Sequence, residues 1–336
     1  MTINSNIRHQ KFDVVGIGNA IVDILIQTED SFLEKHSLKK GSMALLNDDD
    51  AEKLYSSIGA GLESSGGSAA NTLAGLAQLG SKAGFIGRVR NDQLGEIFTH
   101  DIRSAGARFD TTPKTSGPPT ARCLIFVTPD AQRTMCTYLG ASVFLDPEDL
   151  DLSMVKQTKV LYLEGFLWDH PAAKRAFIAA AKACKDSGGK VALSLSDSFC
   201  VERHRKSFLA LVEEHIDILF ANEAEITSLY EVKEFQEAIS KVRNRCEIAA
   251  LTRGEKGSVI LSEKEHIEID SYKFGPLIDT TGAGDLYAGG FLNGYTTGQS
   301  LLKCGQIASI CAGQIVTQLG PRSRVSLKNL VSENLP

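Results

Sequence analysis

The sequence predicts an α/β fold, in which a doubly wound, mostly parallel sheet is flanked by helices on both faces. Short apolar runs alternate with segments of helical periodicity along most of the chain, which is typical of parallel strands joined by crossover helices. Several expected helices begin at glycine-rich turns, where folds of this class bind ligands. Two β-rich insertions interrupt the alternation and predict a small β-sheet lid.

Composition excludes several classes of function. The 336 residues are 43% hydrophobic and 23% charged, which is typical of a globular protein with a substantial core. A net charge of −5 offers no basic surface for nucleic acid or an anionic membrane. No apolar run reaches the roughly 18 residues of a membrane span, and residues 1–11 lack the apolar region of a secretory signal. Seven cysteines without a C-x-x-C pair favour a reducing compartment, so we expect a cytoplasmic protein.

The elements of the large sheet follow in order. Continuous apolar runs are typical of strands buried on both faces, and longer segments of 3.6-residue period are typical of the helices that cover them. Gly106 marks the end of one such helix. The expected strands lie at residues 12–18, 83–87, 159–163, 190–195, 217–220 and 247–252. The expected helices lie at residues 67–79, 92–105, 171–187, 205–215, 223–230 and 234–244, with a further helix from Leu286.

The two insertions cover residues 20–47 and 108–141. They contain short β segments at 24–26, 43–46, 122–127 and 134–138. We assign both insertions to a small β lid, and residues 1–19, 48–107 and 142–336 to a large domain that binds nucleotide and substrate. Since ligands bind at the carboxyl edge of such sheets, a mobile lid would close over that edge. The alternative is a subdomain without a catalytic role.

The run DTTGAGD at residues 279–285 is the most informative motif. The small residues Gly282, Ala283 and Gly284 allow close approach of the backbone to a ligand, and the first-turn amides of the following helix form an anion site. The charge of Asp285 would repel a bound phosphate. Its place is explained if Asp285 accepts a proton from a hydroxyl while the turn holds a transferring phosphoryl group. The alternative is an ordinary turn before a helix.

A second glycine-rich helix entry, GGSAAN, occupies residues 66–71. Gly67 permits close backbone approach, and Asn71 offers both a donor and an acceptor to a polyol. Capping of the helix by Ser68 is the alternative. Asp23 follows the first strand and, with Asn19, is placed to bind two adjacent hydroxyls; a turn aspartate is the simpler interpretation.

Two further motifs follow later strands. Asn222 and Glu225 open a helix, where Glu225 either complements the helix dipole or holds Mg²⁺ through water. Thr252, Gly254 and Gly257 form a T-x-G-x-x-G turn, on whose backbone a nucleotide would lie. The same pattern is also common in turns without a ligand.

Several other signatures are absent. No G-x-x-x-x-G-K-[ST] sequence occurs, which excludes a P-loop protein. The G-x-G at residues 16–18 lacks the third glycine of a dinucleotide-binding turn, since Ile21 stands there. The G-x-S-x-A sequence around Ser68 lacks the second glycine of a nucleophile elbow. A serine hydrolase built on Ser68 is nevertheless retained as an alternative.

Together these motifs resemble the ribokinase-like sugar and nucleoside kinases, the PfkB family, across nearly the whole chain. The run at residues 279–285 is similar to the family's C-terminal signature, and Gly66-Gly67 with Asn71 and residues 84–89 to its N-terminal signature. N-x-x-E at 222–225 and G-x-x-G at 254–257 are in the expected order. Arg90 departs from the pattern, because many members have glycine there.

Within the family the chain is most similar to adenosine kinases. Residues 18–24 (GNAIVDI) resemble their opening turn, and residues 133–141 (RTMCTYLGA) resemble their lid strand. A purine also needs an apolar slot. The side chains proposed for that slot are Met135, Phe166, Leu167 and Trp168. A ribokinase- or fructokinase-like sugar substrate is the main alternative, and a catalytically inactive nucleoside sensor is disfavoured by the intact Asp285.

The resemblance implies a role for each matching residue. Asp285 is the catalytic base, and the anion hole is formed by Gly282, Ala283 and Gly284. The acceptor is bound by residues of both domains: the ribose is held by Asn19, Asp23, Gly67 and Asn71, and the purine is contacted by Phe166. On the nucleotide side, Arg133 reaches the γ-phosphate, Asn222 and Glu225 serve the phosphates and Mg²⁺, and the ATP site is lined by Thr252, Gly254 and Gly257. The implied cofactors are ATP and Mg²⁺, with a K⁺ site at Asp279 and Thr281. The expected partners are a small substrate and ATP, in a monomer or homodimer.

Overall fold

A computed structural model describes residues 11–130 and 132–335 of the chain. The first ten residues, which the sequence places in the large domain, lie outside the described residues, as do Ala131 and Pro336. The expectation that residues 1–11 hold no secretory signal therefore concerns residues that, apart from Lys11, the structure does not describe.

Strands and helices alternate along the described residues. The strands are β1 (Phe12–Ile17), β2 (Ile21–Gln27), β3 (Met43–Leu45), β4 (Leu62–Gly66), β5 (Ala83–Ile86), β6 (Ala107–Phe109), β7 (Ala121–Val127), β8 (Arg133–Tyr138), β9 (Thr158–Glu164), β10 (Lys190–Ser194), β11 (Ile218–Asn222), β12 (Ile248–Thr252), β13 (Ser258–Ser262) and β14 (His266–Ile269). The helices are α1 (Asp30–Lys35), α2 (Asp48–Ser56), α3 (Ser68–Gln78), α4 (Gln93–Ser104), α5 (Leu152–Val155), α6 (Pro171–Lys185), α7 (Ser198–His215), α8 (Glu223–Tyr230), α9 (Phe235–Val242), α10 (Ala283–Thr296), α11 (Leu301–Ile315) and α12 (Leu327–Asn334).

The large sheet has the strand order β14-β13-β12-β11-β10-β9-β1-β5-β6. Its strands run parallel from β12 to β6, and only β13 and β14 pair antiparallel at one edge. Because the strands of the parallel part run the same way, their carboxyl ends meet at one edge of the sheet. The predicted α/β class with a mostly parallel sheet is confirmed.

Helices cover both faces of the large sheet. On one side Val15 and Leu161 pack with residues of α6, α7, α8 and α9, and on the other Val14 and Tyr162 pack with residues of α3, α4, α10 and α11. Neighbouring residues of a strand point to opposite faces, so each central strand contributes to both clusters. The continuous apolar runs in the sequence reflect this two-sided burial.

Some element boundaries differ from the expected ones. Helix α7 begins at Ser198 rather than at residue 205, because the Asp197 carboxylate accepts hydrogen bonds from the amides of Phe199 and Cys200 at 2.8 and 3.1 Å. The backbone of His204 departs from helical geometry inside it. Strands β13 and β14 and helices α11 and α12 were not predicted.

A five-stranded small sheet, ordered β3-β8-β7-β2-β4, lies beside the large one. Four of its strands come from the insertions at 20–47 and 108–141, as expected. The fifth, β4, lies within residues 48–107, which the sequence assigns to the large domain, and pairs antiparallel with β2. Its sequence, LESSG, is short and largely polar, so it carries no apolar run that would indicate a strand.

None of the helices within the described ranges has both the length and the apolar character needed to cross a membrane.

The turn between β12 and β13 gives a test of the fold. Gly257 has φ +79°, and a Cβ there would lie 1.9 Å from the Ile269 carbonyl oxygen, whereas Gly254 has φ +59° and open space around it. Gly254→Ala should therefore cost about 1 kcal/mol of unfolding free energy. Gly257→Ala should cost roughly 3 kcal/mol, because conformational strain is joined by a clash with β14. Urea unfolding measures both, and equal losses would contradict this account.

Candidate active site

Two helix N-termini face each other in the candidate site. Helix α3 starts at Ser68 and α10 at Ala283, so both open at the end of a glycine-containing turn. One Asp285 carboxylate oxygen accepts a hydrogen bond from Ser68 Oγ at 2.6 Å, and the other accepts one from Asn71 Nδ2 at 2.9 Å. The structure thus brings the two glycine-rich motifs into direct contact through Asp285.

The turn before α10 requires glycine at one position. Gly282 is left-handed, with φ +81°, and a Cβ there would lie 2.7 Å from Pro321 Cβ. The Ala283 amide donates to the Thr280 carbonyl at 3.1 Å, so it is used within the turn. Gly284 is exposed, and a Cβ there would meet no atom within 4 Å. Of the three predicted anion-hole residues, Gly284 is therefore the most exposed.

The Asp285 carboxyl lies where burial raises its pKa above the ordinary value. The hydrogen bonds from Ser68 and Asn71 and the charge of Arg322 act in the opposite direction, because they favour the carboxylate. A carboxylate tuned in this way is a better proton acceptor than a free aspartate.

Asp23 lies on β2 and is partly buried. Burial raises the pKa of Asp23 to about 7, against the opposing charges of Arg322 and Arg133. A Cβ at Gly66 would lie 2.3 Å from an Asp23 carboxylate oxygen, so glycine leaves the space that this carboxylate occupies. Gly67 has φ +95°, and a Cβ there would lie 2.3 Å from the Asn19 carbonyl oxygen. The glycines therefore let the start of α3 approach the β1–β2 turn.

Asn19 differs from its expected role. Its side chain has no exposed surface, and Nδ2 donates to Glu164 at 2.7 Å while Oδ1 accepts from Ser142 Oγ at 2.9 Å. In this arrangement Asn19 orients Glu164 rather than presenting its amide to a ribose. The sequence could not indicate this, because the partner lies 145 residues away.

Glu164 was missed by the sequence analysis. It ends β9, is almost fully buried, and accepts a hydrogen bond from the Ala69 amide at 2.8 Å in addition to that from Asn19. Burial raises the pKa of Glu164 to about 7, although these hydrogen bonds oppose the shift. A carboxylate directly after a buried parallel strand is the signal that could have identified it.

Arg133 connects the small sheet to the loop before α10. Its Nη1 lies 2.5 Å from an Asp279 carboxylate oxygen and donates to Thr281 Oγ1 at 2.9 Å. The expected contact with a γ-phosphate would require this side chain to leave Asp279. Arg133 also supplies the positive charge that K⁺ would bring to Asp279, so this arrangement gives no support to the predicted K⁺ site.

Asn222 and Glu225 form a reciprocal capping box at the start of α8. Asn222 Oδ1 accepts from the Glu225 amide at 2.8 Å, and the Glu225 carboxylate accepts from the Asn222 amide at 3.0 Å and from its Nδ2 at 2.6 Å. Burial raises the pKa of Glu225 to about 7, and the charges of Asp197 and Asp285 add to the shift. The pair therefore caps α8, and a carboxylate held in this way fits Mg²⁺ through water rather than directly.

The remaining nucleotide residues lie beside this pair. Thr252 ends β12 and is in register with Asn222 at the end of β11. The turn with Gly254 and Gly257 follows at the same edge. Within residues 11–130 and 132–335, no group of three or more His, Cys, Asp or Glu side chains is arranged to hold a metal ion.

Comparison with known proteins identifies the family. A model of the pfkB family carbohydrate kinases matches residues 48–328, a range that contains Asn71, Asn222 and Asp285. The chain belongs to this family. It is a phosphotransferase that acts on an alcohol group.

Two solved structures share the whole architecture. An adenosine kinase from Sinorhizobium meliloti is 50% identical, with a TM-score of 0.89, over 96% of this chain and 99% of that one. A probable sugar kinase from Rhizobium etli CFN 42 is 48% identical, with a TM-score of 0.89, over 97% of this chain and 99% of that one. A nucleoside kinase from Methanocaldococcus jannaschii is 27% identical over 273 residues, 80% of this chain and 85% of that protein. The predicted ribokinase-like fold is confirmed.

The apolar slot proposed for this kinase needs correction. Trp168 is 3% exposed, packs between Phe177 and Phe208, and donates to Ser207 Oγ at 2.9 Å. Leu167 has no exposed surface either, so the prediction that these two side chains line a purine slot is wrong. Phe166 remains partly exposed on the same 3₁₀ turn.

Buried Glu164 gives a pH-dependent prediction for this kinase. Its folded-state pKa of about 7 exceeds the ordinary value of 4.5, so its contribution to stability is complete at low pH and is lost as pH rises towards 7. In Glu164→Gln the fall in Tm between pH 5 and pH 8 should shrink by about 2 °C or more. Exposed Glu263→Gln is the control and should keep the wild-type slope. An unchanged slope in Glu164→Gln, measured by calorimetry, would contradict the assignment.

Proposed function

We propose that this kinase transfers the γ-phosphoryl group of MgATP to the 5′-hydroxyl of adenosine, giving AMP and ADP. The observation that carries the proposal is Asp285, held by Ser68 and Asn71 at the N-terminus of α10 behind a turn of small residues. The adenosine kinase from S. meliloti, at 50% identity over nearly the whole chain, supports the choice of acceptor.

In the proposed reaction Asp285 is the proton acceptor. Its carboxylate takes the proton of the 5′-hydroxyl as the oxygen attacks the γ-phosphorus, and ADP leaves. The helix N-terminus and the Gly284 region stabilise the charge on the transferring group. Mg²⁺ neutralises the phosphates when bound, and Glu225 would orient its water ligands from the edge of the sheet.

The acceptor would be held by the groups around Asp23. A carboxylate on β2 is suited to accept hydrogen bonds from two adjacent ribose hydroxyls, and Asn71 can serve a third group through Oδ1, which is buried and has no hydrogen-bond partner within the described residues. Phe166 would cover one face of the purine. The ATP would lie over Thr252, Gly254 and Gly257, beside Asn222.

A sugar kinase is the second candidate. It is favoured by the probable sugar kinase from R. etli, which is as similar to this chain as the adenosine kinase is. A serine hydrolase is disfavoured, because Ser68 Oγ donates directly to Asp285 and to no histidine within the described residues. Cytoplasmic location, a monomeric or dimeric state and K⁺ activation remain our predictions.

Replacement of the base tests the chemistry. Asp285→Asn should leave ATP and adenosine binding intact by calorimetry but lower kcat by a factor on the order of 10² to 10⁴, the usual contribution of a general base. Asp49→Asn is the matched control, because Asp49 is an exposed aspartate in the first turn of α2. Near-normal turnover of Asp285→Asn would show that another group takes the proton.

A panel of acceptors tests the substrate. With saturating MgATP, kcat/KM should be highest for adenosine among adenosine, inosine, ribose, fructose and 2-keto-3-deoxygluconate, measured by coupled ADP release. Asp23→Ala should raise the KM for adenosine, since hydrogen bonds to two hydroxyls are lost. Phe166→Ala should weaken adenosine more than ATP, whereas Phe199→Ala, an exposed phenylalanine 68% accessible, should change neither. A higher kcat/KM for ribose or fructose would favour the sugar kinase.

A further inference from the structure

Arg322 lies in the loop between α11 and α12, outside every motif of the family. Its Nη1 donates to the Ala70 carbonyl of α3 at 3.0 Å, and Nη2 donates to the carbonyl oxygen and to Oγ of Ser65 on β4, each at 2.9 Å. Arg322 therefore joins the last strand of the small sheet to the first turn of α3. That turn carries Ser68 and Asn71, the two hydrogen-bond donors to Asp285.

Three carboxylates also act on the guanidinium through their charge. Asp101 of α4 accepts hydrogen bonds from the Ser65 amide at 2.7 Å and from Ser65 Oγ at 2.5 Å, and its charge favours the protonated form of Arg322. Asp23 and Asp285 act on Arg322 through charge alone. Burial lowers the pKa of Arg322, yet an arginine keeps its proton at working pH. A permanent positive charge therefore acts on both Asp23 of the proposed acceptor site and the proposed base, Asp285.

The charge of Asp285 raises the pKa of four acidic groups around it, so the positive charge of Arg322 is important. Burial raises the pKa of three of them, the carboxyls of Asp23, Glu164 and Glu225, to about 7. The four groups are Asp23 on β2, Tyr162 and Glu164 on β9, and Glu225 on α8. Within the described residues, Arg322 is the cation that favours the ionised form of Asp285. Arg133 acts on Asp23 instead.

We propose that Arg322 is a positioning residue of this kinase: it fixes the start of α3 against β4, and its charge favours the ionised forms of Asp285 and Asp23 during the reaction. The inference rests on the proposed role of Asp285 as the base. The guanidinium makes no hydrogen bond to either carboxylate within the described residues, so it acts through Ala70, Ser65 and the electric field. Nothing in the motifs around residues 66–71 or 279–285 indicates such a residue, because Arg322 belongs to neither.

The pH dependence of kcat/KM tests the proposal, because its acid limb reports the essential base of the free enzyme. With MgATP and adenosine, or fructose if the acceptor panel favours a sugar, Arg322→Met should move the midpoint of this limb up by about one pH unit. Arg322→Lys keeps the positive charge but cannot make the hydrogen bonds of both guanidinium nitrogens, so it should restore the midpoint while kcat stays below wild type. The control, Arg324→Gln, changes an exposed arginine two residues further on and should match wild type.

Three results would overturn the proposal or separate it from its premise. A midpoint unchanged in folded Arg322→Met would leave Arg322 a purely structural residue and overturn the inference. If Arg322→Met does not fold, Asp101→Asn tests the proposal instead. Asp101→Asn removes a negative charge that acts on Arg322, so the midpoint of the acid limb should move down. An unchanged or raised midpoint would reject the proposal. Near-normal turnover of Asp285→Asn would instead reject the base itself, whatever the Arg322 variants show.

Discussion

The close contact of helices α3 and α10 is the constraint on which the site depends. A Cβ at Gly75 would lie 2.5 Å from Leu286 Cδ1, and one at Gly289 would lie 2.9 Å from the Thr72 carbonyl oxygen. Glycine at position 289 lets the two helix backbones approach closely, and glycine at position 75 leaves room for the Leu286 side chain. At this separation Asp285, in the first turn of α10, accepts hydrogen bonds from Ser68 and Asn71 in the first turns of α3.

Several acidic groups lie buried around this contact, and burying their charged forms costs free energy. Burial raises the pKa of Asp23, Glu164 and Glu225 to about 7 in each case. Parallel strands deliver these side chains to the same edge of the sheet, where their charges act on one another. Such a cluster destabilises the folded chain near neutral pH, and groups of this kind are typical of a site that binds hydroxyls and cations.

Two arginines from distant segments balance these charges. Arg133 links the small sheet to Asp279 and Thr281 before α10, and Arg322 links the loop after α11 to Ser65 and Ala70. Both therefore connect parts of the molecule that would separate if the small sheet moved relative to the large one. Opening or closing of the small sheet would change the electrostatic environment of Asp285 as well as access to it.

The sequence by itself determined the α/β class, the small sheet in outline, and the residues whose local pattern reflects a local requirement. Gly282 and Gly257 have backbone conformations or close contacts that exclude larger side chains, and Asp285 follows directly from its turn. Tertiary structure alone decided the rest. Glu164 and Arg322 act on residues far away in the chain, Asn19 is turned inward by Glu164, and Trp168 is buried between two helices. Local motifs record backbone geometry, whereas the charges and hydrogen bonds that tune a site come from segments whose proximity only the folded chain defines.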